Sequence, residues 1–260
     1  MTINGRALAN RIYERLSIRR ASLPRHIALG IVCSEPDAVM ESFMKIKTRA
    51  AQQLDVAIVR VDVPIRAGEQ GAIEAIVELT KRTDGIITQL PLPRSWDARP
   101  VLAAIPGSHD VDGIGTNSLV VPPVARAVKD ILEEAHFDPK GKCAVVIGAG
   151  RLVGVPVARL LEELGARVTV ITEGQPLDAL MNADIIVSGA GSPKLITPEV
   201  VRDGAVLIDA GTSEQGGKVR GDADPACAMK CALFTPVPGG VGPVAVAEIF
   251  ENLFDLVENA

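Results

Sequence analysis

Apolar and polar positions along this chain follow two alternating rhythms. Residues 5–20, 41–54 and 70–82 carry apolar side chains at the three-to-four spacing of a half-buried helix. Between them, HIALGIVCS (26–34), AIVRVDVP (57–64) and GIITQLPLP (85–93) are short apolar runs bounded by turn residues, which predicts strands. The third run holds prolines, which cannot donate to a ladder, so it is a strand that breaks early. A helix over 122–135 leads into a second, cleaner series. KCAVVIGAG (142–150), RVTVIT (167–172), ADIIVSGAG (183–191), AVLIDAG (205–211) and ALFTPVP (232–238) are apolar strands, most of them closing on glycine or a turn residue. A last helix is expected over 243–258, packed on the first half. Strands alternating with helices of this length predict parallel sheets joined by crossovers, hence an α/β fold. The expected division is a first domain of 1–120 plus 239–260 and a second domain of 121–238.

Composition changes this picture little and narrows the partners. Of 260 residues, 47% are hydrophobic and 23% charged, enough apolar material for two cores. A net charge of −5 disfavours a nucleic-acid surface or an anionic membrane surface, and no stretch is long and apolar enough to span a bilayer. Cys33, Cys143, Cys227 and Cys231 lack metal-ligand spacing, so no metal is expected and reduced thiols in a cytoplasmic protein are.

The stretch VVIGAGRLVGVPVARLL supplies the first chemistry. Gly148, Gly150 and Gly154 follow a strand and open a helix. In a dinucleotide fingerprint the first glycine permits the tight turn, the second admits a pyrophosphate, and the helix start offers amides. Glu173 ends the next strand, where a carboxylate takes a ribose 2′-hydroxyl and repels a 2′-phosphate. This favours NAD over NADP, with Arg151 able to compensate. In the first half, three polar features sit in apolar or turn-rich settings: Gln89 in TQLPLP, Asp110 and Asp112 in HDVDG, and Lys47 one helical turn after Phe43. Each also has an ordinary explanation, a solvated lysine or an Asp-x-Asp-Gly turn.

Taken together, GIITQLPLP, HDVDG, VVIGAGRLVGVPVARLL, ADIIVSGAGSPKLI, GAVLIDAG, GDAD and TPVPGGVGP carry a resemblance to a known family. The chain resembles, over nearly its whole length, the bifunctional methylenetetrahydrofolate dehydrogenase/methenyltetrahydrofolate cyclohydrolases. The resemblance implies the two-domain aminoacid-dehydrogenase-like fold with a C-terminal Rossmann-type NAD(P)-binding domain, a folate cleft between domains, and a homodimer. It implies a catalytic lysine at Lys47, with Lys45 taking its place if the preceding EPDAVMESF is aligned without an insertion. Gln89 matches the glutamine paired with that lysine, and Asp112 the aspartate that holds the pterin. Phe43, Leu90 and Pro91, with Pro238, Gly239, Gly240 and Val241, match substrate-binding positions. Gly189, Ala190 and Gly191 match a cofactor-binding loop.

The departures carry information too. Phe43 stands where the family has tyrosine, and Ala149 and Gly150 stand where it has Arg-Ser, groups that hold a 2′-phosphate. The segment between Asn117 and Lys129 is shortened, and Ala245 replaces a threonine. The implied reactions are hydride transfer from 5,10-methylenetetrahydrofolate to NAD(P), leaning to NAD, followed by cyclohydrolase opening to 10-formyltetrahydrofolate. A dehydrogenase-only relative, a non-catalytic folate- or nucleotide-binding relative and a shikimate-dehydrogenase-like enzyme are the alternatives.

Overall fold

The computed structural model describes residues 1–23, 26–34, 38–215 and 218–260; the side chains of residues 38, 39, 42 and 43 lie outside the described set. The chain divides into two compact units, one of residues 11–123 and 246–260, the other of 1–10 and 124–245. No helix among the described residues is long and apolar enough to cross a membrane.

The first of these units is built on a parallel three-stranded sheet ordered β2-β1-β3, with β1 at Ile27–Cys33, β2 at Val56–Asp62 and β3 at Gly85–Thr88. Helices α1 (Gly5–Ala21), α2 (Ala38–Gln53), α3 (Gly68–Leu79) and the short α4 (Ala98–Ala103) intervene, α1 contributing its portion from residue 11 onward. β1 is buried at every position, as a central parallel strand covered on both faces must be. Val32 and Ile86 join Val63, Ile76, Leu79, Trp96 and Leu102 in one core. Strand β3 stops at Thr88, short of the apolar run that predicted it. The Gln89 amide still donates to Val32 O at 2.9 Å, and the chain then leaves the sheet through the cis Leu90–Pro91 bond.

The other unit carries α5 (Pro123–Glu134), β4 (Cys143–Ile147), α6 (Gly154–Glu163), β5 (Arg167–Ile171), β6 (Ile185–Ser188) and β7 (Val206–Asp209). A small antiparallel pair, β8 (Ser213–Gln215) and β9 (Lys218–Arg220), was not foreseen from the pattern. It is followed by β10 (Leu233–Phe234) and by the start of α7 (Val241–Glu258), two residues earlier than expected. Pro243 still falls in the first turn, where no intrahelical donor is lost. The main sheet is parallel, ordered β10-β7-β6-β4-β5. The first strand β4 lies between β5 and β6, so the strand order reverses beside it, and ligands bind at such a reversal in open α/β sheets. Residues 1–10 belong to this unit: the Ile3 amide donates to Phe234 O and the Phe234 amide to Met1 O, both at 2.9 Å.

Both units set strand register with the same device. The Asp84 amide donates to Ala28 O at 2.8 Å while its carboxylate accepts from the Ala28 amide at 2.9 Å. Asp184 and Cys143 repeat the pair, each bond at 2.8 Å. An aspartate just ahead of an apolar strand thereby ties the end of the neighbouring strand that would otherwise be unpaired.

Candidate functional site

In the sheet-β2-β1-β3 unit, α2 carries Lys47 to the carboxyl end of β3. Lys47 is buried, 8% exposed, and its ammonium donates to Gln89 Oε1 at 2.6 Å, while Gln89 Nε2 donates to Leu90 O at 3.0 Å. Burial pushes the lysine below its ordinary pKa, opposed by the negative charge of Asp112. Lys45 is exposed on the same helix. Asp112, half-buried, is raised from 3.8 to about 6, chiefly by burial; Lys47 pulls it down and Asp110 pushes it up. Thus a lysine, an amide and a carboxylate that lie far apart in sequence share one electrostatic neighbourhood. Phe43 lies on α2, but its ring is outside the described residues.

The segment that presents Asp112 is fixed from two sides. Asp110 is fully buried and accepts from the Gly115 amide at 2.7 Å, and its backbone bridges to Ile86. From α7, Asn252 Nδ2 donates to Val111 O and Val121 O, both at 2.9 Å. Sequence reading did not single out Asn252, since nothing local distinguishes a polar residue on an apolar helix from a solvated one. Leu90 is half-buried and Pro91 is exposed, just beyond Gln89.

In the other unit the glycine-rich turn follows β4. Gly148 has φ +94°, a left-handed conformation that favours glycine. A Cβ on residue 154 would overlap the Gly148 carbonyl oxygen, so the start of α6 can close on the turn only without a side chain. At residue 150 nothing lies within 4 Å of an added Cβ, and Gly150 and Arg151 are exposed. This bare, outward-facing backbone at a helix start suits a pyrophosphate, so the residues present fit an NAD(P) group. Glu173 is exposed two residues past β5.

Gly189, Ala190 and Gly191 leave the end of β6 beside that turn. A Cβ on residue 148 would lie 3.0 Å from Gly189 O, so the loops after β4 and β6 touch at the strand-order reversal. Gly191 has φ +66°. The strip Pro238–Val241 follows β10: the Val237–Pro238 bond is cis, the Gly240 amide donates to Pro236 O at 2.7 Å, and the Gly5 amide donates to Gly239 O at 3.0 Å. Val241 opens α7 and is buried.

Beneath these loops lies a buried polar layer that sequence reading missed. Asp222 accepts from Ser188 Oγ at 2.6 Å and from the Ala190 and Ser192 amides at 2.8 and 2.7 Å. Asp209 accepts from the Ala223 amide at 2.8 Å and the Gly211 amide at 3.0 Å, and its own amide donates to Thr235 Oγ1 at 2.7 Å. The available signal was an aspartate ending an apolar strand, in VLIDAG, and a second in GDAD.

Known proteins match this chain over nearly its whole length. The model of the tetrahydrofolate dehydrogenase/cyclohydrolase catalytic domain matches residues 3–112, and that of the family's NAD(P)-binding domain matches residues 122–260. A "Bifunctional protein FolD" of Methanospirillum hungatei is 36% identical, with 100% of this chain and 98% of the relative covered. The FolD methylenetetrahydrofolate dehydrogenase/cyclohydrolase of Campylobacter jejuni superposes with a TM-score of 0.94 at 28% identity, covering 100% of this chain and 99% of that one. The Trypanosoma brucei enzyme, solved with NADP and an inhibitor, gives 0.93 at 29% identity, covering 100% and 97%. The α/β fold with a C-terminal NAD(P)-binding domain is therefore as expected, and the chain belongs to the tetrahydrofolate dehydrogenase/cyclohydrolase family.

Proposed function

We propose that this protein oxidises 5,10-methylenetetrahydrofolate to the 5,10-methenyl cation with NAD(P), and then hydrolyses that cation to 10-formyltetrahydrofolate. The observation that carries the reading is the buried Lys47–Gln89 pair beside Asp112, within the stretch that matches the family's catalytic domain. Bound NAD(P) supplies the acceptor for the hydride, which leaves the one-carbon unit with its electron pair. That step needs placement more than acid or base. Asp112, ionised at neutral pH, would accept from the N–H donors of the aminopyrimidine and orient the pterin. Phe43 would stack on the pterin, with Leu90 and Pro91 and the strip Pro238, Gly239, Gly240 and Val241 as further substrate contacts.

The second step needs a proton acceptor. As water adds to the methenyl carbon, its proton goes to a base, and a nitrogen of the opening ring takes a proton back. A lysine held below its ordinary pKa by burial and aimed by a neutral amide suits both transfers. Exposure of Lys45 supports Lys47 in this role.

For the cofactor, Gly148, Gly150, Arg151 and Gly154 would face the pyrophosphate and Gly189, Ala190 and Gly191 the nicotinamide end. Glu173 supports NAD over NADP, as does Ala149–Gly150 where relatives place Arg-Ser. Assembly as a homodimer and residence in the cytoplasm, where four free cysteines are at home, complete the reading. Purified protein mixed with methylenetetrahydrofolate and either NAD or NADP should produce reduced nucleotide, faster with NAD. Folate binding without turnover on either nucleotide would instead leave a non-catalytic relative.

A further inference from the structure

The loop 189–192 is shaped from outside itself. Besides the Gly189 amide's bond to Ile147 O at 2.9 Å, three hydrogen bonds hold this stretch to the carboxylate of Asp222, a residue 0% exposed: Ser188 Oγ and the Ala190 amide on Oδ2, and the Ser192 amide on Oδ1. Asp222 is itself anchored through its backbone, its carbonyl accepting from the Ile196 amide at 3.0 Å, while the Asp224 amide donates to Ile196 O at 2.8 Å. The next loop closes on it as well, since a Cβ on residue 211 would overlap the same carboxylate. On its other side the loop meets the turn at Gly148. One carboxylate thus sets the path of the backbone that lines the strand-order reversal. A buried carboxylate that loses one of these acceptor positions leaves a backbone donor unpaired, at a cost that moving the loop relieves.

We infer that Asp222 is a positioning residue for the dinucleotide: it fixes loop 189–192 against the glycine-rich turn so that a nicotinamide cofactor meets a preformed backbone. The inference rests on the reading that these loops hold NAD(P). Asp222 touches no substrate in this role and acts only through Ser188, Ala190 and Ser192.

The test compares the full-length chain with Asp222→Asn and Ser188→Ala, titrating each by calorimetry with NADH and separately with tetrahydrofolate. Asparagine keeps the volume but places an N–H₂ against groups that donate. The Kd for NADH should rise at least tenfold in Asp222→Asn and about threefold in Ser188→Ala, which removes a single bond. The Kd for tetrahydrofolate should stay within twofold in both. If Asp222→Asn does not fold, as thermal melting would show, Ser188→Ala decides alone. An NADH Kd within twofold of the parent in the folded variants would overturn the inference. Equal weakening of both ligands would overturn it too, by reducing Asp222 to a structural part. A parent chain that binds no NADH would overturn the functional reading itself, and the inference with it.

Discussion

Lys47 donates to a neutral amide where a carboxylate would have locked its charge in place. Burial disfavours the ammonium, and Gln89 offers a direction without a compensating charge; Asp112, and after it Cys33, pull the other way. Replacing Lys47 with methionine keeps the buried stem and removes the titrating end. Methenyl hydrolysis should then fall by at least about 100-fold, within the range of a lost general base, while hydride transfer falls much less; stopped assays of the two steps give the ratio. Asp112→Asn removes the charge that raises the lysine, so Lys47 should titrate lower still. The rising limb of hydrolysis against pH should therefore move to lower pH, together with weaker folate binding. At the ribose, Glu173→Ser removes a charge that would repel a 2′-phosphate, and the ratio of kcat/KM for NADP over NAD should rise. A parent enzyme already faster with NADP would refute the ribose argument.

Elements show what the sequence could and could not disclose. Within the glycine trio, backbone geometry itself demands glycine at two positions, Gly148 by its left-handed turn and Gly154 by contact with the Gly148 carbonyl, while Gly150 faces open space. Packing need and cofactor access separate in mutants. Gly154→Ala forces backbone apart and should cost about 2 kcal/mol or more, the upper part of the overpacking range, lowering Tm. Gly150→Ala meets nothing and should leave Tm unchanged while weakening NADH binding. Helix α4 escaped notice because it is short and contains Pro100. The carboxylate layer escaped because Asp209 and Asp222 acquire their partners only when β6, β7 and the segment after β9 come together.

That layer has a pH signature. Burial, with the Asp222 charge adding to it, raises Asp209 from 3.8 to about 6 against the pull of its backbone donors. Between those values the native chain holds more protons than the unfolded one, so stability falls as pH rises through that window. Roughly two pH units at about 1.4 kcal/mol each give about 3 kcal/mol. Asp209→Asn removes this component. Whatever its cost at pH 4, its stability relative to the parent should improve by pH 7.5 in urea unfolding, and an unchanged difference would count against the raised carboxyl.

At the scale of the whole molecule, two of the three boundaries between units fall well inside helices, within α1 after Asn10 and within α7 after Ala245, and the third falls at the first residue of α5, after Pro123. The unit bearing Lys47 and Asp112 therefore takes its last residues, Val246–Ala260, from the far end of the chain. They are not accessory. Phe250, Asn252, Leu253 and Phe254 are all fully buried, and a Cβ on Gly85 in β3 would lie 2.7 Å from Leu253. Arg19 of α1 bonds Glu251, Asp255 and Glu258 at 2.7–2.8 Å. A chain stopped after Ala245 should lose this unit's cooperative melting and bind a hydrophobic dye, while the β4–β7 sheet keeps its affinity for NADH.

The late arrival of α7 also sets a timetable. Synthesis runs from the amino end, so β1, β2 and β3 emerge long before the helix that covers β3 exists. Until the final turns of α7 leave the ribosome, the sheet that holds Gln89 waits with an uncovered apolar face. A unit begun at residue 11 is thus completed only by residues 246–260, and its sheet keeps an apolar face exposed to aggregation while residues 124–245 are being made.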